Sequence, residues 1–305
     1  MKAIVIHEDG GPEVLSYEDV PDPEPAADEV LVRMRFASLN HLDVWTRKGM
    51  PSVPKPRILG ADGSGVVESL GPDVDGLEPG QPVVINPGLE HGATIHVIGE
   101  HTQGVHAELA SIPGTNVVPL RDGVSFEDAA AFPLVYETAY RMLVTRARLQ
   151  AGEWVLVWGI GGGVATAAFR IAQALGADVT LNHESDDVVA AVKEATGGGA
   201  DVIVETVGDA TWKRTLDAAR PGGRVTICGA TTGPNPPAAL HRVWWKQLDI
   251  LGSTMGTRAD FEGAYDLVAA GATPVIDTVF PLAEARAAHE RLEAGEQFGK
   301  ILLEI

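Results

Sequence analysis

Residues 154–176, WVLVWGIGGGVATAAFRIAQALG, decide the fold of the second half of the chain. An apolar run leads into Gly159, Gly161, Gly162 and Gly163, and a helix-forming stretch from Val164 follows directly. Strand, glycine turn and helix in this order favour dinucleotide binding, because glycines let the backbone approach a pyrophosphate and the helix amino end offers free N–H groups. The pattern is Gly-x-x-Gly-x-x-Ala rather than Gly-x-Gly-x-x-Gly, so a tight structural turn is the alternative interpretation.

Strand and helix patterns alternate on both sides of this turn. Apolar runs of this kind are typical of parallel strands that are buried on both faces by helices. We therefore predict a doubly wound α/β domain of the Rossmann type. The predicted strands are 153–158, 178–181, 201–205, 224–228 and 248–252, and the predicted helices are 164–175, 186–195 and 211–219.

Small or polar residues follow several of these strands. Ligands bind an open parallel sheet at the carboxyl ends of its strands, so these residues are candidate cofactor contacts, although they could be only the starts of loops. They are Thr206 and Gly208, then Cys228, Gly229 and Ala230, and then Ser253 and Met255.

The first 120 residues have a different texture, with short β-branched runs separated by glycine and proline turns. Strands are predicted at 3–6, 30–36, 64–70, 82–86 and 117–119, and Ser125 is a candidate helix N-cap. The tail after residue 273 returns to mixed strand and helix. We predict a β-rich substrate domain from 1–124 and 258–305, and a dinucleotide-binding domain from 125–257.

The composition excludes some partners. The 305 residues include 42 Asp and Glu but only 23 Lys and Arg. The resulting net charge of −19 would repel nucleic acid and anionic membranes. The single cysteine, Cys228, allows no internal disulfide, and no apolar run is long enough to span a membrane. We expect a cytoplasmic protein with a small-molecule substrate.

Over nearly its whole length the chain resembles the medium-chain dehydrogenase/reductase family, close to its quinone oxidoreductase branch and its zinc-type alcohol dehydrogenase relatives. The resemblance implies an α/β protein with an N-terminal GroES-like domain, a Rossmann domain and a nicotinamide cofactor. It rests on VRMRFASLNHLDVWTRKG at 32–49, ILGADGSGVVESLGPDV at 58–74, SFEDAAAFPLVYETAYRML at 125–143, the glycine turn and FGKILLEI at 298–305.

Zinc is the main departure from the family pattern. Relatives with a catalytic zinc carry its ligands at the positions that here are Asn40, Ala61 and Leu134, and these are poor ligands. Asp62 alone could contribute a carboxylate. Four histidines recur at spacing five, but we expect solvated loop residues rather than a metal site, because alternating sides would not gather them. They are His91, His96, His101 and His106.

The resemblance also assigns roles to single residues. His41 would face the pyrophosphate, Asp43 would anchor the loop beneath the nicotinamide, and Thr138 would lie beside its carboxamide. Asn40 and Tyr136 are the candidate polar groups near the substrate. The remaining candidate cofactor contacts are Gly159, Gly161, Gly162, Gly163, Val164, Thr206, Gly208, Cys228, Gly229, Ala230, Ser253, Met255 and Lys300.

Two segments are shorter than the family pattern. The four-cysteine lobe that follows the NPG stretch in relatives is missing. At Val179 and Thr180 roughly one helix and one strand are missing, with the residue that reads the adenosine ribose. This is either a mobile segment that these 305 residues do not include or a true deletion.

We predict a zinc-independent reductase that transfers hydride from NADP(H), or less favourably NAD(H), to a quinone or an α,β-unsaturated carbonyl. A catalytically weak or silent nucleotide-binding relative is the alternative, and an alcohol dehydrogenase is the third option. The apolar segment 241–251 also predicts a homodimer that pairs edge strands.

Overall fold

The structure is a computed structural model that describes residues 1–92, 94–175 and 187–305. Two compact units emerge from its contacts. The first unit is Met1–Leu134 with Thr257–Ile305, and the second unit is Val135–Gly256. The predicted domain limits at 124 and 258 remain a prediction about functional domains, and they differ from this grouping mainly over residues 125–134.

Most predicted strands are present, with ends shifted by a few residues. The described strands are β1 (Lys2–Ile6), β2 (Leu15–Asp19), β3 (Glu29–Ser38), β4 (Arg57–Ile58), β5 (Asp62–Leu70), β6 (Pro82–Ile85), β7 (Gly88–His91), β8 (Thr94–Val97), β9 (Leu109–Pro113), β10 (Val117–Pro119), β11 (Val155–Val157), β12 (Ala200–Glu205), β13 (Ala219–Ile227), β14 (Asp249–Gly252), β15 (Ile276–Pro281) and β16 (Lys300–Glu304).

The α-helices are short, and a π-helical segment at Arg141–Arg146 extends one of them. The described α-helices are α1 (His41–Arg47), α2 (Phe126–Ala131), α3 (Pro133–Tyr140), α4 (Gly163–Ala174), α5 (Val188–Thr196), α6 (Trp212–Ala218), α7 (Leu240–Lys246), α8 (Arg258–Ala269) and α9 (Ala285–Ala294). Among the described residues, no helix is both long and apolar enough to cross a membrane.

The main sheet of the first unit has the order β10-β6-β5-β3-β16-β15, and β9 also pairs with β3. β16 runs antiparallel to β3, so the tail completes this sheet as predicted from its pattern. Ser125 caps α2, since its Oγ accepts a hydrogen bond from Asp128 N at 3.0 Å. α2 packs against β3, β5 and β6, and this packing places residues 125–134 in the first unit.

The described strands of the second unit form one parallel sheet in the order β11-β12-β13-β14. β12 is buried along its whole length, which explains the apolar run at 202–204 within it. Asp187 caps α5 by accepting from Ala190 N at 3.2 Å. The predicted strand at 178–181, the start of the next helix at Asp186 and the junction at Val179 and Thr180 lie outside the described residues.

Candidate functional site

A buried carboxylate organises the polar centre of the first unit. Asp62 begins β5, is fully buried, and accepts hydrogen bonds from Leu134 N at 2.8 Å through Oδ1. Its Oδ2 accepts from Asn40 Nδ2 at 2.9 Å, Ser38 Oγ at 3.2 Å and Lys300 Nζ at 3.3 Å. We call Ser38, Asn40, Asp62 and Lys300 the Asp62 cluster. It joins three segments that are distant in sequence.

Lys300 lies in this cluster, although the resemblance assigned it to the cofactor. Its Nζ also donates to Leu39 O at 2.9 Å and to Asn40 Oδ1 at 2.6 Å. Burial lowers the pKa of Lys300, and the neighbouring Asp62 carboxylate acts in the opposite direction. All three acceptors of the ammonium belong to the first unit. The contact between Lys300 and the cofactor that the resemblance implies therefore stays a prediction.

Asp43 fixes the start of α1. Its Oδ2 accepts from Asn40 N at 2.7 Å, which is half of a capping box, and its Oδ1 accepts from Gly60 N at 3.0 Å. Burial raises the pKa of Asp43, while the nearby His106 lowers it. Gly60 has φ +99°, and a Cβ there would stand 2.3 Å from the His106 ring. Asp43 therefore anchors a backbone turn that only glycine can form.

His41 is the first residue of α1 and lies beside Trp45, with ring centroids 6.2 Å apart. Its pKa is lowered mainly by burial and then by the positive charge of Lys300. A neutral imidazole can donate one hydrogen bond, whereas the predicted contact with a pyrophosphate would favour the charged form.

The residues at the family's zinc positions do not fit a zinc ion. Asn40 offers an amide, Ala61 a methyl group and Leu134 an isobutyl group, and tetrahedral zinc sites use thiolate, imidazole or carboxylate ligands. Asp62 is the nearest carboxylate, and it already accepts four hydrogen bonds. No group of three or more His, Cys, Asp or Glu side chains in the described part of the chain could hold a metal ion.

The four evenly spaced histidines partly contradict the expectation from sequence. The rings of His91 and His96 stack at 5.0 Å across the β7–β8 hairpin, and those of His96 and His101 stack at 4.1 Å where the chain turns after β8. The expectation that they would not gather was wrong for these three. His106 is separate and fully buried, and its Nε2 lies 3.3 Å from Ser38 O.

In the second unit, the glycine turn connects β11 to α4 as predicted. Gly159 has φ +67°, and Gly162 is the N-cap of α4 without a side-chain cap. Thr166 Oγ1 holds the turn through Ile160 O at 2.6 Å and Gly162 O at 2.8 Å. Since the first N–H groups of a helix lack internal partners, the backbone from Gly163 and Val164 onward can donate to an anion.

The loop after β12 is organised by a carboxylate that the sequence did not single out. Glu205 is buried, and its Oε1 accepts from Val207 N at 2.8 Å and Gly208 N at 3.0 Å. Its Oε2 accepts from Thr211 Oγ1 at 2.9 Å and Thr215 Oγ1 at 2.5 Å. The Glu205 carboxylate therefore fixes the loop that contains Thr206 and Gly208. In the sequence, the spacing of Thr211 and Thr215 at the start of α6 was the signal that could have identified Glu205.

The candidate contacts after β13 and β14 also lie at the carboxyl ends of their strands. Gly229 has φ +91°, and Met255 has the unusual φ of +50°. Ser253 N donates to Ile227 O at 2.9 Å. This bond holds the end of β14 beside the end of β13, so Ser253 lies next to the start of the 228–230 loop. Burial raises the pKa of Cys228 to about 11, so its side chain stays a thiol at neutral pH.

Two hydroxyl groups of the second unit are suited to a polar ligand. Thr138 Oγ1 and Ser253 Oγ are buried and have no hydrogen-bond partner among the described residues. A buried hydroxyl without a partner costs free energy, which a bound amide could recover. Thr138 was predicted to lie beside the nicotinamide carboxamide and Ser253 to contact the cofactor, and the donor chemistry of both hydroxyls fits a carboxamide. Tyr136 is buried on the same helix, α3, as Thr138.

Two family models match parts of this chain. The model for the alcohol dehydrogenase GroES-like domain matches residues 26–122, and the model for zinc-binding dehydrogenases matches residues 162–270. A crystal structure described as an NAD-dependent alcohol dehydrogenase is 39% identical, with a TM-score of 0.94 and 100% coverage of both chains.

Two curated relatives are similar over nearly the full chain. The quinone oxidoreductase of Mus musculus is 30% identical, over 99% of this chain and 97% of the relative. The acryloyl-coenzyme A reductase of Metallosphaera sedula is 31% identical, over 99% of both. The mouse alignment runs over 340 positions against 305 residues here, so the mouse protein carries at least 35 residues without a counterpart. The chain therefore belongs to the medium-chain dehydrogenase/reductase family, in its quinone oxidoreductase-like branch, and is an NAD(P)-dependent oxidoreductase.

Proposed function

We propose that the protein reduces quinones or α,β-unsaturated carbonyl compounds with NAD(P)H and uses no zinc. The observation that carries this proposal is the Asp62 cluster, in which an ammonium group contacts the residues at or next to the zinc positions. Without a Lewis acid, the substrate must accept hydride readily, and quinones and enones do so. The names of the mouse and Metallosphaera relatives support the same substrate class.

The second unit supplies the groups that would hold the cofactor. The N–H groups at the start of α4 would bind the pyrophosphate, and the Thr138 and Ser253 hydroxyls would bind the carboxamide. Thr206, Gly208 and the residues 228–230 would line the same cofactor. The bound nicotinamide supplies the hydride.

In the first unit, Asn40 is the candidate to orient a carbonyl oxygen. Its amide nitrogen carries two N–H donors, and Asp62 takes one of them at 2.9 Å. The second N–H can stabilise negative charge that develops on a substrate oxygen. Asp43 would keep Asn40 in place by accepting from the Asn40 backbone N–H. Tyr136, which belongs to the second unit, is the other candidate, for supply of a proton or a hydrogen bond.

NADP(H) is our preferred cofactor by resemblance to the quinone oxidoreductase branch. The 39% identical NAD-dependent alcohol dehydrogenase structure favours NAD(H) instead. We therefore propose that both cofactors are tested, with tighter binding of NADPH as the expected result.

A silent nucleotide-binding relative is the second candidate. It is favoured by the at least 35 residues that the mouse relative has and this chain lacks. Such a loss at the ribose-reading segment would weaken the adenosine half of the site.

A homodimer is also part of the proposal. β14 pairs only with β13 in the described sheet and leaves an edge that carries exposed Ile250. Leu240, Trp244 and Trp245 on the preceding helix α7 are also exposed, at 63%, 65% and 84%. An open apolar edge of this kind favours pairing with a second copy.

The test is a spectrophotometric screen that follows oxidation of NADPH and NADH with quinones, enones, aldehydes and ketones. We expect turnover with quinones or enones, and faster turnover with NADPH. Turnover of alcohols and simple aldehydes alone would favour the alcohol dehydrogenase function. Cofactor binding without any turnover would favour the silent relative.

A further inference from the structure

The ammonium of Lys300 has the surroundings of a bound cation. Its three N–H donors match three oxygen acceptors, Leu39 O at 2.9 Å, Asn40 Oδ1 at 2.6 Å and Asp62 Oδ2 at 3.3 Å. The side chain is 4% exposed, and Asp62 is fully buried. A saturated ammonium in this position has no donor left for another group unless it gives up one of these bonds.

The backbone delivers this ammonium to a fixed place. Gly299 has φ +98°, and a Cβ there would stand 2.2 Å from Val275 O, so only glycine makes the turn into β16. Leu39 N donates to Ile301 O at 3.0 Å, which sets Lys300 beside the chain that leaves β3. The cation is therefore built into the sheet rather than carried on a loose tail.

Asp62 needs this charge. Taking a carboxylate out of water is costly unless a cation and hydrogen bonds compensate it. In the described part of the chain, Lys300 is the one cationic side chain that forms an ion pair with Asp62. The nearby Asp43 carboxyl is also buried, and burial lowers the pKa of the neighbouring His106. Removing Lys300 would leave Asp62 without its counter-ion.

We propose that Lys300 is a built-in cation that stands where related enzymes hold a metal, and that its removal opens a site for a small primary ammonium ion. The proposal rests on the zinc-free function proposed above and names the group that replaces the metal. Lys300→Ala deletes three methylene groups and the ammonium, which together match n-propylammonium in size and charge.

The experiment measures the thermal midpoint Tm of the wild type, Lys300→Ala and the control Lys213→Ala. Lys213 is 74% exposed and pairs with Asp217 at 2.9 Å, so its removal should leave Tm unchanged. Lys300→Ala should lower Tm by roughly 10 °C. n-Propylammonium chloride should restore at least half of that loss, whereas tetramethylammonium chloride at equal ionic strength should not, because it has no N–H donor.

A double variant tests the charge balance separately. Lys300→Met/Asp62→Asn removes both charges and should be more stable than Lys300→Met alone. The proposal is overturned if Lys300→Ala is as stable as Lys213→Ala, if both ammonium salts act alike, or if the double variant is no better than the single one. Where Lys300→Ala and Lys300→Met fail to fold, a folded double variant supports the proposal and an unfolded one contradicts it.

These unfolding measurements do not depend on oxidoreductase activity. Rescue by n-propylammonium without turnover in the screen would support the internal cation and refute the reductase. Zinc-free turnover without rescue by n-propylammonium would support the reductase and refute the internal cation.

Discussion

Gly162 is the residue at which cofactor binding and folding can be separated. Its backbone is extended, with φ −83° and ψ 154°, so a valine can adopt the conformation. A Cβ there would meet only Gly159 O, at an ordinary 3.6 Å. The added side chain would cover the N–H groups at the start of α4 rather than disturb the packing.

We therefore predict that Gly162→Val weakens NAD(P)H binding by more than tenfold, or about 1.4 kcal/mol, without loss of fold. Isothermal titration of both cofactors measures the effect. Gly198→Val is the matched control, since a Cβ at Gly198 meets nothing within 4 Å. An unchanged dissociation constant for Gly162→Val would mean that the turn is purely structural.

Single residues also show what the sequence could predict. The need for glycine at Gly159 follows from the local pattern, and its φ of +67° agrees. The place of Lys300 was not predictable in the same way, because it depends on Asp62, 238 residues earlier in the chain. Glu205 was missed for a different reason: its threonine partners follow within ten residues, but their spacing indicates a buried carboxylate site only once α6 is known to pack against β12.

At the scale of elements, α9 carries a buried histidine that links stability to pH. His289 Nδ1 lies 3.2 Å from Arg47 Nη1, and Arg47 also pairs with Glu293 at 2.8 Å. Burial lowers the pKa of His289 well below 6.5, and the charges of His106 and Arg47 lower it further. Burial also lowers the pKa of His106.

The direction of the pH effect on stability follows from the number of protons that the folded and unfolded states bind. Below about pH 6.5 the unfolded chain binds protons on these histidines that the folded protein does not, so stability is full above that pH and falls as the pH is lowered towards the folded pKa values. Urea unfolding between pH 5 and 8 should show this decline. His289→Gln keeps an acceptor for Arg47 and should flatten the slope, whereas the exposed control His7→Gln should not. A slope unchanged by His289→Gln would contradict the assignment.

Some elements could be predicted from the sequence pattern, whereas others are recognised only from their contacts in the structure. Apolar runs located β11 and β12, and β12 needs such a run because it is buried on both faces. The β7–β8 hairpin was not predicted, because the sequence around His91 and His96 has the pattern of a solvated loop. Its strands are recognised only from their pairing in the structure. α1 has seven residues and was recognised only as a motif, because its capping box supplies most of its signal.

At the scale of the whole molecule, the exposed α7–β14 surface predicts assembly. Light scattering should give twice the 32.1 kDa of one chain at micromolar concentration. Trp245→Glu/Ile250→Lys places charges on this surface and should yield monomers. Leu175→Glu, at an exposed apolar residue at the end of α4, is the control and should stay dimeric. A wild-type mass of one chain would rule out the dimer.

We propose that this protein works without zinc, although it resembles zinc-binding dehydrogenases. The most direct measurement combines elemental analysis with NAD(P)H oxidation, before and after dialysis against a strong chelator. We expect no stoichiometric zinc and unchanged turnover of a quinone or enone after chelation, since the Lys300 ammonium would stand in place of the metal and Asn40 would orient the substrate oxygen. About one zinc per chain, or activity that chelation abolishes and added zinc restores, would contradict it.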